Sequence, residues 1–312
     1  MSTTLWSTSP AWSAASWTML HSTWVGTVIG LMAALVRRLL ISARPETRYG
    51  AALSCLAMFA VSPVLICIWV YEPMDATHVP ILRATEIGSQ NPTIPMNPGR
   101  LENEQPPPPA VAWDHPAGIA SRSWLESVVP CLPWFWLSGS ACTLAMLATG
   151  LVGVEQLRRQ SRLVESGDLP RRCRALADSL GIARRFSVGI CDRLATPVLI
   201  GIVRPLILLP PIALSGWSVE QLEMVLLHEL AHLRRWDNLV NLLQRIVESL
   251  LFFHPVVWWL SGWVRLEREL CCDRLVVERL GQPVAYAEML VSMSGRAVGR
   301  IRRCWPWPTA MC

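Results

Sequence analysis

The chain of 312 residues contains no lysine, and all 28 of its basic residues are arginine. That absence excludes a Schiff-base lysine, a phosphate-loop lysine and a Ser-x-x-Lys acylation site. Charge is scarce as well. Only 16% of residues are charged, against about 25% in soluble domains, and 52% are hydrophobic. These two figures favour a membrane protein. No Cys-x-x-Cys occurs among the ten cysteines, which speaks against a cysteine-based zinc site or redox motif. Cys55, Cys67, Cys131 and Cys142 fall in apolar runs, where cysteine behaves as a small hydrophobe, and no disulfide framework is expected. No basic residue precedes the first apolar run, so a cleaved signal peptide is a poor reading of the start. The net charge of +5 is modest, and the arginines cluster beside apolar runs. That fits membrane topology better than direct nucleic-acid binding.

Three segments approach or exceed the roughly 20 residues that a spanning helix needs: about 18–36, 51–71 and 128–154. The first is the weakest, because His21, Ser22 and Thr23 interrupt it. Arg37, Arg38, Arg44 and Arg48 crowd the short loop after it. Arg158, Arg159, Arg162, Arg171, Arg172 and Arg174 follow the third. By the positive-inside rule, loop 37–50 and everything after about 155 are cytoplasmic, and the N-terminus and loop 72–123 face outward. Trp6, Trp12, Trp17, Trp69 and Trp124 sit near span ends, where indole favours the interface. The Pro-rich loop 72–123 reads as a disordered linker. The expected organisation is a membrane region over 1–154, a cytoplasmic domain over 155–300 and a short tail over 301–312.

Within the domain, Asp168 opens a helix that Gly181 ends. Stretches 185–192 and 196–209 read as short strands. Ser218 and Gln221 form a capping box that opens the next helix. Another helix runs from near Asp237 to near Phe253. His254-Pro255 then starts a long one that Gly281 terminates. Residues 239–263 are apolar enough for a fourth span, but Arg245, Glu248, His254 and Pro255 argue for a buried or membrane-apposed helix pair. Trp258, Trp259 and Trp263 fit a surface resting on the lipid interface.

The capped helix carries His228-Glu229-Leu230-Ala231-His232, an instance of His-Glu-x-x-His. This composition predicts about 0.006 accidental matches in the whole chain. Residues four apart share a helix face, so both imidazoles can reach one zinc ion, with Glu229 beside it to deprotonate a water. A catalytic zinc takes a third protein ligand. The candidate is Glu269, with Asp273 one turn on to accept a hydrogen bond from the non-ligating nitrogen of His228. A plain salt bridge of Glu269 with Arg265 is the bland alternative, and Glu267 and Cys271 are rival ligands. His254 and Tyr286 stand as candidates to stabilise a transition state, although a helix cap and a core residue are their commoner roles.

HELAHLRRWDNLVNLLQ, FHPVVWWLSGWVRLERELCCD and the upstream ATPVLIGIVRPLILLPP together resemble the membrane zinc peptidases of the BlaR/MecR type, the beta-lactam sensor-transducers and their antirepressor relatives. The likeness covers roughly 124–300. It implies a multi-pass α-helical membrane protein with an α+β gluzincin-like zinc peptidase domain in the cytoplasm. It also implies His228, His232 and Glu269 as ligands, Glu229 as base, and a cytosolic substrate such as a transcriptional repressor. The sequence departs from that pattern after Ser292. Neither a fourth span nor the external penicillin-binding sensor follows, so a truncated product, or a relative signalled through a partner or the outward loop, is expected. A homodimer is left open. The competing functions are a quality-control membrane peptidase of the HtpX or CAAX-protease type and a non-catalytic membrane receptor or scaffold.

Overall fold

The computed structural model describes residues 10–75 and 128–301. The Pro-rich stretch after Asp75, Trp6, Trp124 and the tail after Ile301 lie outside the described residues. Among the described residues, three helices are long and apolar enough to cross a membrane. They are α1 (Pro10–Leu39), α2 (Pro45–Asp75) and, after a 3₁₀ turn at Val129–Cys131, α3 (Leu132–Gln160). Each extends past the apolar run read from sequence, because its flanks suit a helix end. Arg37 and Arg38 close α1, Arg158 and Arg159 close α3, and Pro45 with Glu46 opens α2. The polar residues that interrupt the first run are satisfied within the helix. Ser22 Oγ donates to the Thr18 carbonyl, Thr23 Oγ1 to that of Leu20, and Trp24 Nε1 donates to His21 Nδ1.

A small sheet follows, in the order β1-β2-β4-β3. Its strands are β1 (Arg162–Leu163), β2 (Ser187–Ile190), β3 (Val198–Ile200) and β4 (Leu206–Leu209), with α4 (Asp168–Ser179) between β1 and β2. The stretch 196–209, expected as one strand, is two. Gly201 has a φ of 82°, and a Cβ there would lie 2.6 Å from the Arg204 carbonyl oxygen, so the backbone turns back on itself at a position only glycine fits. β3 then pairs antiparallel with β4, while β2 pairs parallel to it. β4 is buried along its whole length. Ile207 and Leu209 face the core under α6 (Val219–Arg234), and Leu206 and Leu208 face Leu157 at the end of α3. The sheet is therefore held between the motif helix and the end of the third long helix.

A short helix α5 (Ile212–Ser215) leads to α6. Ser218 and Gln221 form the expected reciprocal cap. Trp236, at φ 60°, breaks the chain after α6. A left-handed residue costs about 1–2 kcal/mol, and the Arg184 guanidinium sits 3.8 Å above the indole centroid to hold it. Helices α7 (Asp237–Leu250), α8 (Pro255–Leu280) and α9 (Pro283–Ile301) complete the fold. The α7–α8 hairpin packs into the bundle of α1, α2 and α3, with Leu251, Val257, Leu260 and Val264 in one core with Ala33, Ala52 and Leu56. The other end of α8 crosses α6, and His228, His232 and Glu269 meet there.

Candidate metal centre

α6 presents His228 and His232 one turn apart on the face turned to α8, and α8 supplies Glu269. Their Nε2 atoms lie 3.2 Å from one another. Glu269 Oε2 lies 3.6 Å from the first and 3.5 Å from the second. Tetrahedral zinc with bonds of about 2.0–2.1 Å holds its ligand atoms about 3.3–3.4 Å apart. The triangle of two imidazole nitrogens and one carboxylate oxygen fits that ion in spacing and in donor chemistry. The side chain of Glu269 is 46% exposed, so the triangle is open on its side. Arg268 Nε donates to Glu269 Oε1 at 3.3 Å, which leaves Oε2 as the atom that faces the histidines.

The outer nitrogens are held too. His228 Nδ1 lies 2.9 Å from the Tyr286 hydroxyl, which donates to Asp273 Oδ1 at 2.8 Å, and Asp273 itself is 3.3 Å from the ring. Tyr286 is thus behind His228, on the side away from the triangle. His254, at the far end of α8, is about 22 Å along the helix from Glu269. Neither is placed to meet a transition state. Glu267 is turned away, onto Arg48 of α2 and the Trp263 indole. Cys271 pairs with Arg235 instead. Arg265 pairs with Glu248, not with Glu269.

Sequence reasoning missed Asp237, which lies 2.7 Å from His232 Nδ1 and is nearly fully buried. In one continuous helix, five residues place a side chain about 140° from the starting one. The break at Trp236 is what returns Asp237 to the histidine. Its only signal is the helix-opening aspartate after a histidine turn, which is weak. Cys272 Sγ also approaches that nitrogen, at 3.4 Å. Asn should replace either aspartate without changing shape. Asp237→Asn and Asp273→Asn are each expected to weaken zinc binding about 10–100-fold, as such outer partners do. Competition titration against a chromophoric chelator checks this, and wild-type affinity in either variant removes that residue from the account.

Charges in the cluster are strongly coupled. Burial opposes a proton on His228, but Asp273 and Glu269 outweigh it and raise its pKa. Burial opposes a proton on His232 as well, and Asp237, Cys272 and Glu269 outweigh it. Burial would raise the Glu269 carboxyl, yet the two imidazoles hold it well below the usual carboxylate range. Raised histidine pKa values mean that protons occupy the site near neutrality. Two ring nitrogens 3.2 Å apart accommodate one proton between them readily. Taking up zinc at pH 7 should therefore release at least one proton, and affinity should rise with pH through the neutral range. Calorimetry in two buffers of different ionisation enthalpy measures the release, and none at all contradicts the electrostatics.

Glu229 is buried on α6 beside the triangle. Burial raises its pKa, the nearby histidines lower it less, and the backbone of Leu199 in β3 hydrogen-bonds to it. β3 is an edge strand of the sheet, so Glu229 stands between the triangle and a strand edge.

Comparison with known proteins bears on this geometry. A family model described as BlaR1 peptidase M56 matches residues 17–307. Regulatory protein BlaR1 of Bacillus licheniformis is 25% identical over 161 residues. The methicillin resistance mecR1 proteins of Staphylococcus aureus and Staphylococcus epidermidis are each 22% identical over 162 residues. These alignments take in 51% of this chain and 27% of each relative, so the aligned stretch amounts to about a quarter of those proteins.

Proposed function

This chain belongs to the BlaR1 peptidase M56 family, and from that premise we propose that it is a multi-pass membrane zinc metalloendopeptidase with a gluzincin-like site. In this reading residues 155–300 form its cytoplasmic peptidase domain, in a cell-membrane protein, and the substrate is a cytosolic regulatory protein of the repressor type. The observation that carries the proposal is the triangle of His228, His232 and Glu269 at 3.2–3.6 Å with a buried carboxylate beside it. Names given to the relatives, a regulatory protein and methicillin resistance proteins, support a regulatory substrate.

His228, His232 and Glu269 would hold the ion. A zinc ion held there would supply Lewis acidity, polarising the scissile carbonyl and lowering the pKa of a water toward about 7. The chain's own residues do the rest. Glu229 takes the proton of the attacking water and passes it to the leaving amine, and the raised pKa suits both halves of that task. Tyr286 with Asp273, and Asp237, fix the tautomers that turn both Nε2 atoms inward. Arg268 fixes the rotamer of Glu269.

An extended substrate is expected to add as a strand to the open edge of β3, which would bring its carbonyl past Glu229. Hydrogen exchange of the Val198–Ile200 amides should slow when a zinc-directed peptide inhibitor binds, and unchanged exchange there sinks the strand-addition pose. The proposal as a whole is tested with the purified full chain in vesicles and a panel of cytosolic DNA-binding repressors from the same cell. Cleavage should stop on chelation and return with zinc, whereas cleavage indifferent to both excludes a metallopeptidase.

A further inference from the structure

We infer that the α7–α8 hairpin is a re-entrant membrane element. Its tip, residues 249–254, lies within the hydrocarbon layer, and Leu239 and Leu243 of α7 with Trp258 of α8 contact lipid acyl chains. The inference rests on reading α1, α2 and α3 as membrane spans.

The arginine-bearing ends of the three long helices mark one boundary of the apolar zone. His254 Nε2 donates to the Thr23 carbonyl at 3.0 Å, and Thr23 lies about 21 Å along α1 from Arg37. The Phe59 ring is 5.1 Å from that of His254, about 17 Å along α2 from Arg48. Thr143 Oγ1 donates to the Ser249 carbonyl at 2.9 Å, about 22 Å along α3 from Arg158. Three helices place the tip at similar depth in a hydrocarbon core of about 30 Å.

Hydrogen bonding at the tip fits a place without water. The carbonyls at the end of a helix need donors, and a surface loop takes them from solvent. Here side chains provide them. Thr143 caps Ser249, Trp136 Nε1 donates to the Leu250 carbonyl at 2.7 Å, and Trp258 Nε1 donates to that of Phe252 at 3.0 Å. Internal satisfaction of this kind is what lipid imposes on non-helical backbone. The spans are also shaped to receive the tip. A Cβ on Gly26, Gly30 or Gly139 would collide with His254, Val256 or Phe252 respectively.

The residues that argue against a simple span build the hairpin instead. Pro255 opens α8, and His254 Nδ1 caps it by accepting from the Val256 amide. Arg245 and Arg265 both hold Glu248, at 2.9 and 2.7 Å, with Glu248 almost wholly buried. That is how ionised groups persist at membrane depth. On α7 and the first turn of α8 the apolar side chains of Leu239, Leu243 and Trp258 are 37%, 53% and 44% exposed. They are carried by the same hairpin whose tip is sunk between the spans, so continuity with the lipid-facing surface of the bundle assigns acyl chains as their partner.

The test places p-benzoylphenylalanine at Leu243 and, separately, at Leu239 in the full chain in phosphatidylcholine vesicles. Val203, 87% exposed in the β3–β4 turn, serves as the water-side control, and Leu65 of α2 as the span control. Both hairpin sites are exposed and their side chains make no hydrogen bond, so the probe should leave the fold and zinc stoichiometry unchanged. Irradiation is expected to give phospholipid adducts at both hairpin sites, at the level seen at Leu65 and several-fold above Val203. Adducts no higher than at Val203, with Leu65 still labelled, overturn the inference alone. Cross-links to a second copy of the chain overturn it as well. Loss of labelling at Leu65 too means that the span reading has failed.

Discussion

Glu229→Gln should abolish measurable peptide hydrolysis and leave zinc bound. General-base catalysis accounts for about 10²–10⁴-fold in rate, and this carboxylate is the base the site offers. Glutamine keeps the length of the side chain and an oxygen that can accept from the Leu199 backbone, so the local fold has no reason to change. What it loses is the ability to take a proton from water and return it to the amine. Glu229 is not one of the three atoms of the triangle, so zinc content should match the wild type. Single-turnover cleavage by the zinc-loaded variant measures the loss. Turnover at the wild-type rate removes Glu229 from its role, and zinc loss instead of rate loss makes it a ligand.

Glu269→Gln is expected to have the larger effect on metal. Glu269 supplies the only anion of the triangle, and Arg268 and the two imidazoles hold it in place. The amide removes that charge while two neutral nitrogens remain. The drop in affinity should exceed the 10–100-fold of an outer-partner change, and hydrolysis should fall with zinc occupancy. The helix should stand, since α8 is anchored through Trp263, Val264 and the Glu267–Arg48 pair. Unchanged zinc stoichiometry at limiting metal transfers the third ligand to another residue.

Much of this was legible in sequence because it depends on local spacing. Two histidines four apart share a helix face wherever the helix sits, and Ser218 with Gln221 marks where that helix begins. The apolar runs foretold three long helices, although their polar ends carry them further. Glu269 and Asp273 were legible as a pair because they too are four apart on one helix. What depended on the chain returning to itself was not legible. Asp237 reaches His232 only through the left-handed turn at Trp236, and nothing in the sequence marks a tryptophan for that conformation. Arg268 reaches Glu269 rather than a solvent partner because α8 is covered by α2 there. Arg245, Glu248 and Arg265 are ionisable residues in an apolar stretch, and from sequence alone they argue against membrane depth. Only the hairpin, which brings two arginines to one buried glutamate, shows how they pair. The split of 196–209 into two strands turned on a single glycine.

The most direct test of the central claim, a zinc peptidase acting through Glu229, compares newly formed protein N-termini in cells. Wild type and Glu229→Gln would be present at equal level in the membrane, with and without a cell-wall stressor. At least one cut is expected with wild type alone, in a DNA-binding regulatory protein. Identical sets of N-termini, with zinc bound to both proteins, would contradict it and leave a metal-binding membrane protein that does not cleave.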